Sequence, residues 1–170
     1  MAKFYQYVGS DEIWKKAVAL PSGTQIKSVF DLKIWIEQSK QKPNYWGLIE
    51  ATFVIDEIGY LCLADRHSEH IACAGGKPVL SAGEMFFAYG DAGLEIAEVT
   101  NQSTGFCPEP ESWFQVALAL ERIPLSHPNQ FTTEFIFRRC PACGQINIVK
   151  DQLFLCGVCG TNLPIAWNFA

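Results

Sequence analysis

Long apolar runs and clustered positive charge are the two features that this sequence most plainly lacks. Its longest purely apolar stretches are as short as residues 116–120, far below the roughly 20 residues that cross a bilayer. The first residues also lack the apolar core of a signal peptide. Low-complexity tracts are absent too, and 49% of the residues are apolar. The sequence therefore predicts a folded cytoplasmic protein with no membrane span.

Basic residues are outnumbered by acidic ones, 13 against 18, and the imbalance lies in the middle of the chain. Residues 1–42 carry a net charge of +3, whereas residues 43–130 carry three basic residues and twelve acids, a net charge of −9. Nucleic-acid binding draws on clustered Lys and Arg, and an acidic surface repels phosphate. A nucleic-acid partner is therefore disfavoured unless Arg138, Arg139, Lys150 and the N-terminal lysines share one face. A protein partner is expected instead.

Seven cysteines in a chain without an export signal argue against a disulfide framework, because an odd number cannot all pair. Four of them form two Cys-x-x-Cys pairs, each followed by glycine and separated by twelve residues: Cys140, Cys143, Cys156 and Cys159. A two-residue spacer lets both thiolates of a pair point at one ion, and four thiolates complete a tetrahedron. The spacing predicts a zinc ribbon that binds one structural Zn²⁺, since four cysteines leave no position for a reactive water. Redox-active pairs or merely buried thiols are the alternatives.

The pattern of apolar and polar residues predicts an α+β fold. Ser10 and Ser28 each precede a segment with acidic residues and helical apolar spacing, so two N-terminal helices are expected. After them, β-branched and apolar residues alternate between turns, which favours an antiparallel β-meander, with residues 4–8 as a further strand. A later helix is predicted to begin at Pro110.

The C-terminal part is predicted to form a separate unit that packs on this sheet. Residues 131–137 read as a last strand that leads into the cysteines without a flexible linker. Within the ribbon, residues 146–149 and 153–155 are expected to pair as a hairpin. The chain is thus predicted to contain an α+β domain, residues 1–130, and a zinc-ribbon module, residues 131–170.

Polar side chains and glycines gather in the predicted meander and define a second group of candidate functional residues. Four of them are the candidate catalytic residues: His70, Glu84, Asn101 and Ser103. Histidine and carboxylate side chains can act as acid and base if the fold brings them together. The hypothesis that follows is a transferase or hydrolase acting on a nucleotide or a protein side chain.

The same region resembles a segment of plant calmodulin-binding IQ-motif proteins and related bacterial proteins. The resemblance covers residues 67–125 and rests on His70, residues 74–76 (Ala-Gly-Gly), residues 82–84 (Ala-Gly-Glu) and the Asn-x-Ser element that begins at Asn101. Thr104, Gly105 and Phe106 depart from the Gly, His and Tyr of that family. The resemblance implies a shared fold segment, and since no IQ motif is present, it does not imply calmodulin binding.

Three functions stay open on the sequence alone. The closed metal site, the acidic middle and the lack of a complete catalytic constellation favour a small protein-binding or adaptor module within a larger complex. The alternative is the enzyme described above. A second alternative is a nucleic-acid-binding protein that uses the ribbon.

Overall fold

A computed structural model describes all 170 residues of the chain. Its centre is a five-stranded antiparallel sheet in the order β1-β3-β2-β4-β5. A separate two-stranded sheet, β6-β7, lies near the C-terminus. The strands are β1 (Thr24–Ile26), β2 (Ile49–Ile55), β3 (Leu61–Asp65), β4 (Ser81–Gly90), β5 (Gly93–Val99), β6 (Ile136–Arg139) and β7 (Ile146–Val149). The helices are α1 (Asp11–Ala17), α2 (Val29–Ser39), α3 (His70–Cys73) and α4 (Trp113–Leu120), the last preceded by a 3-10 turn (Pro110–Ser112).

The predicted α+β class is confirmed, and the order of the strands refines it. The hairpins β2–β3 and β4–β5 lie side by side because β2 pairs with β4. The chain therefore crosses from β3 over β2, through α3, and does not step from each strand to its neighbour as a strict meander would. This crossing leaves the other edge of β3 free to pair with the short strand β1, which the sequence did not predict.

Both predicted helix starts are confirmed by their caps. The hydroxyl of Ser10 accepts a hydrogen bond from the backbone N–H of Ile13, and the hydroxyl of Ser28 accepts one from Asp31. Each cap satisfies a backbone donor that has no partner within its helix. α2 ends where Lys40 takes up a left-handed conformation, with φ 52°.

Apolar residues cover both faces of the sheet. On one face, α2 and α4 pack against a core of 21 buried residues that includes Phe53 and Phe87. On the other face, α3 packs in a smaller core with Tyr5 and Phe106. Residues 4–8 do not form the expected strand, because only Tyr5 makes a bridge, to Val79.

The ribbon packs on the main domain through the loop after β5, where Phe137 of β6 lies against Cys107, and its strands pair differently from the prediction. β7 pairs with β6, the strand before the first cysteine, and not with residues 153–155. Those residues instead run beside residues 161–163, where Leu163 donates a backbone hydrogen bond to Phe154. β6 begins at Ile136 and not at residue 131, since the residues before it are bound to the edge of β5 by Thr132.

The C-terminal tail ties the ribbon to the rest of the chain. Trp167 donates its indole N–H to the carbonyl of Cys107 over 2.8 Å and packs edge-on against Tyr5. Phe169 lies in a small core with Cys107 and Phe137 of β6. None of the helices is long and apolar enough to cross a membrane.

Candidate metal centre

Two turns of the ribbon bring its four cysteines to one point. The Sγ atoms of Cys140, Cys143, Cys156 and Cys159 all lie within 4.8 Å of one another. The Cys140–Cys159 separation is 3.5 Å and the Cys143–Cys156 separation is 3.6 Å. A disulfide would need about 2.05 Å between the two sulfurs, and all seven cysteines are free. The four thiols therefore form a cluster that could surround an ion.

The two turns share one pattern of backbone hydrogen bonds. In the first, Gly144 donates to the carbonyl of Cys140, and Cys140 donates to that of Gln145. In the second, Gly160 donates to Cys156, and Cys156 donates to Thr161. Both glycines have positive φ, 76° and 74°, a conformation that residues with a Cβ rarely adopt. The glycine after each Cys-x-x-Cys pair is thus required by the turn that aims the two sulfurs.

The size of the cluster suits a four-coordinate metal ion. A metal–sulfur bond of about 2.3 Å, as zinc makes, sets the edge of a regular sulfur tetrahedron at about 3.8 Å. The two separations measured between sulfurs are slightly below this value. A tetrahedral set of four thiolates is typical of zinc and of iron–sulfur centres. The ribbon therefore has the ligands and the geometry of a metal-binding site with no coordination position left for substrate.

Polar groups around the sulfur of Cys156 favour its thiolate form. The backbone N–H of Val158 and the side-chain amide of Asn147 both donate to the sulfur of Cys156, over 3.4 Å and 3.5 Å. Hydrogen bonds from the backbone N–H groups of Cys159 and Val158 lower the pKa of the Cys156 thiol. Asn147 also accepts from the N–H of Gly157 and thereby links β7 to the second turn.

Sequence reasoning missed the role of Asn147. It lies in an alternating stretch, Ile-Asn-Ile-Val, where its position reads only as the polar face of a strand. The sequence feature that indicates this role is the position of Asn147 between the two cysteine pairs, on a strand that must pass close to the sulfurs.

The three other cysteines are buried and lie apart from the cluster. Burial raises the pKa of the Cys62 thiol and of the Cys107 thiol to about 12 in each case. Burial also raises the pKa of Cys73. A thiol is nucleophilic only as thiolate, so these groups fill the core as small apolar side chains.

The four candidate catalytic residues make their hydrogen bonds to other groups and not to one another. No hydrogen bond joins any two of their side chains, and none of them lines any of five surface clefts of the structure. His70 donates from Nε2 to the carbonyl of Gly83 over 2.8 Å, and burial lowers its pKa. Glu84 is half-buried on β4, where burial and then the charge of Glu50 raise its pKa.

Asn101 and Ser103 make hydrogen bonds that hold a loop. Asn101, which is fully buried, donates to the carbonyls of Pro108 and Phe135 and accepts from the N–H of Phe135. The hydroxyl of Ser103 accepts from the N–H of Phe106, three residues on. Asn101 thus joins the loop after β5 to the segment that enters the ribbon.

Replacing Asn101 with alanine is expected to destabilise the protein by about 2–4 kcal/mol, because several buried backbone groups would lose their partner. Urea unfolding of the metal-loaded protein measures this loss. Gln102→Ala is the matched control, since the side chain of Gln102 makes no hydrogen bond, and should change stability by less than about 0.5 kcal/mol. Equal stability of the two variants would refute the structural role of Asn101.

Gly83, within the Ala-Gly-Glu element, has a packing role of its own. The backbone of Thr100 lies so close to its Cα that an added Cβ would collide with the Thr100 carbonyl. Glycine at this position is therefore explained by the contact between β4 and the chain after β5, without any role in chemistry.

Comparisons with known proteins do not assign this chain to a family. No protein-family model, no curated protein and no solved structure matches this chain. The resemblance of residues 67–125 to IQ-motif proteins is therefore unsupported, and the four-cysteine cluster is the feature from which function has to be argued.

Proposed function

We propose that this protein is a protein-binding or adaptor module, in which one structural Zn²⁺ holds the ribbon of residues 131–170 on the α+β domain of residues 1–130. The observation that carries the proposal is the closed four-cysteine cluster, which shapes the surface of a ribbon and offers no coordination position for a reaction.

Zinc is the metal that this site suits best. Its four ligands come from two short turns within 20 residues of chain, a spacing typical of structural zinc. Zinc has no redox chemistry of its own, so the site requires only that the four cysteines are not oxidised to disulfides. A reducing compartment such as the cytoplasm meets that need.

The surface of the ribbon supports a role in binding. Val158, between the last two cysteines, is 70% exposed, and Ile165 is 72% exposed. Leu153, in the turn after β7, is also exposed. Exposed apolar side chains on a rigid, metal-held surface are typical of protein interaction sites. A larger complex would cover them.

The two alternatives have less support from the geometry. An enzyme would need His70, Glu84 and Ser103 to line one cleft, and none of the three lines any of the five clefts considered above. A nucleic-acid-binding ribbon would need Arg138 at the surface, whereas Arg138 is 5% exposed and pairs with Glu109 over 2.8 Å. A phosphate backbone therefore cannot reach Arg138, one of the cations on which such binding would depend.

Metal analysis and affinity capture test the proposal together. The purified protein is expected to contain one zinc per chain. Captured from a lysate of its native host, it should retain one stoichiometric protein partner, both as wild type and as the His70→Ala, Glu84→Ala double variant. A chain without zinc would contradict the metal assignment. A small ligand or modified protein that is lost only with the double variant would instead favour the enzyme.

A further inference from the structure

The outer edge of β7 is an unpaired strand edge. In an antiparallel pair, residues that are hydrogen-bonded to the partner strand alternate with residues whose backbone groups point away from it. Cys140 donates a backbone hydrogen bond to the carbonyl of Gln145, which shows which residues of β6 and β7 are the hydrogen-bonded ones. The hydrogen-bonded pairs that follow are Arg138 with Asn147 and Ile136 with Val149. The backbone groups of Ile146 and Ile148 therefore point away from β6. No other backbone or side-chain group in the chain bonds to the N–H or the C=O of Ile148.

The opposite edge of the same sheet, on β6, is closed by the C-terminal tail, and its hydrogen bonds agree with the alternation described for β7. On β6, the outward residue Arg139 donates its N–H to the side-chain oxygen of Asn168 and accepts from the side-chain nitrogen, over 2.9 Å and 2.7 Å. The C-terminal tail thus covers one edge of the ribbon sheet. Only β7 keeps a free edge, and a free edge is a template for another strand.

An open groove of about 670 Å³ runs along this free edge. Its lining includes Ile146 and Ile148 of β7, Thr104 of the main domain and Val158 of the second cysteine turn. An extended chain placed beside β7 would alternate its side chains between the two faces of the ribbon sheet. The groove therefore has the form that addition of a strand requires.

The groove is positively charged, which favours a peptide segment with acidic side chains. Its only charged lining residues are Arg139 and Lys150, and neither forms a salt bridge with any carboxylate of the chain. No acidic residue lines the groove. The guanidinium of Arg139 donates to the carbonyls of Gly144 and Val8, so its charge is held in place without a carboxylate to neutralise it. Two cations without a counter-charge attract an anionic segment.

We infer that the free edge of β7 binds an extended, acidic segment of a partner protein as a third strand of the ribbon sheet. The inference rests on the proposed protein-binding function and names the surface that serves it. Backbone hydrogen bonds to Ile148 and to the N–H of Ile146 supply binding, while Arg139 and Lys150 supply the preference for acidic side chains. The carbonyl of Ile146 already accepts from the side chain of Gln145. A single-stranded nucleic acid fits less well, because no aromatic side chain lines the groove to stack a base.

Selection from a displayed library of random 12-residue peptides tests this inference with the zinc-loaded protein. The enriched peptides should be rich in Asp and Glu together with β-branched residues. Ile148→Pro removes the N–H that would bind the added strand but no bond of the hairpin, so the ribbon should keep its zinc. Lys150→Glu reverses the charge at the groove. Each variant should weaken binding of the enriched peptides about tenfold or more, the loss expected for about 1.4 kcal/mol.

The matched control is Lys33→Glu, the same charge reversal at an exposed position of α2 outside the groove. It should leave peptide binding unchanged within about twofold, a range set by weak long-range charge effects. Enriched peptides that bind the two groove variants as well as wild type would overturn the inference but leave the protein-binding function standing. The absence of any enriched peptide would also overturn the inference. Binding of a 20-nucleotide oligo-dT that is lost in Lys150→Glu would overturn both in favour of nucleic acid.

Discussion

The Cys143→Ser variant is expected to lose its metal ion and to unfold residues 136–163, while the five-stranded sheet stays folded. Few large apolar side chains hold the ribbon together: its own core contains only four buried residues, and two of these are the ligands Cys140 and Cys156. Structural zinc contributes about 10–16 kcal/mol in small zinc modules at neutral pH. The main core draws on 21 buried residues and contains no ligand of the site.

Amide hydrogen exchange and metal analysis check this prediction on the same sample. Exchange should become fast from β6 through Leu163 and stay slow in β2 and β4. Cys62→Ser is the matched control, because it removes a thiol outside the cluster and leaves a hydroxyl that can still donate to Asp56, near which the Cys62 sulfur lies. A Cys143→Ser protein that keeps one metal ion per chain, or a protected ribbon, would show that the cluster is not the site.

The cysteine site was predictable because its signal is local. Two residues between ligands, with glycine after each pair, determine each turn with no help from the rest of the chain. Which strand joins the ribbon hairpin is a different question, since residues 153–155 and residues 136–139 both contain large apolar side chains and both adjoin a cysteine pair. The pairing with β6 follows from long-range contacts, among them those of Phe137 with Cys107 and Phe169.

The two N-terminal helices of the main domain were also predictable from local sequence, whereas the order of the strands in the sheet was not. Ser10 and Ser28 mark their helices through hydrogen bonds that reach only three residues along the chain. β1 consists of three residues and pairs with β3, whose residues lie 35 to 39 positions further along the chain, so no local pattern marks it. Hydrophobic alternation identifies strands but does not say which ones become neighbours.

Two of the candidate catalytic residues, Asn101 and Ser103, lie in a loop that their hydrogen bonds support. Asn101 and Ser103 form an Asn-x-Ser element whose hydrogen bonds stay within the loop or reach the entry to the ribbon. In sequence, such residues are indistinguishable from groups that await a substrate. The burial of Asn101 and the three hydrogen bonds that it makes support a structural role.

The Arg138→Met variant is expected to lose about 3–5 kcal/mol of stability, because it leaves the half-buried carboxylate of Glu109 without its cation. Arg138 lies on β6, is nearly completely buried and binds three partners at once. Its guanidinium donates to Glu109 over 2.8 Å, to the carbonyl of Ile165 in the C-terminal tail and to the carbonyl of Phe137. One side chain thus joins the main domain, the ribbon strand and the tail. Methionine keeps the length of the side chain, so lost packing contributes little.

Urea unfolding of the zinc-loaded wild type and variant measures this loss of stability. Adding Glu109→Gln to Arg138→Met should recover about 1–2 kcal/mol, because the double variant no longer contains a carboxylate without its cation. Lys16→Met is the matched control: the Lys16–Glu12 pair has the same 2.8 Å separation, but its side chains are 76% and 77% exposed. Water already solvates that pair, so its loss should cost less than about 0.5 kcal/mol. Equal effects of Arg138→Met and Lys16→Met would mean that the buried pair does not hold the ribbon to the domain. In that case the apolar contacts of Phe137, Trp167 and Phe169 would have to hold it alone, and the ribbon would detach when those side chains are shortened.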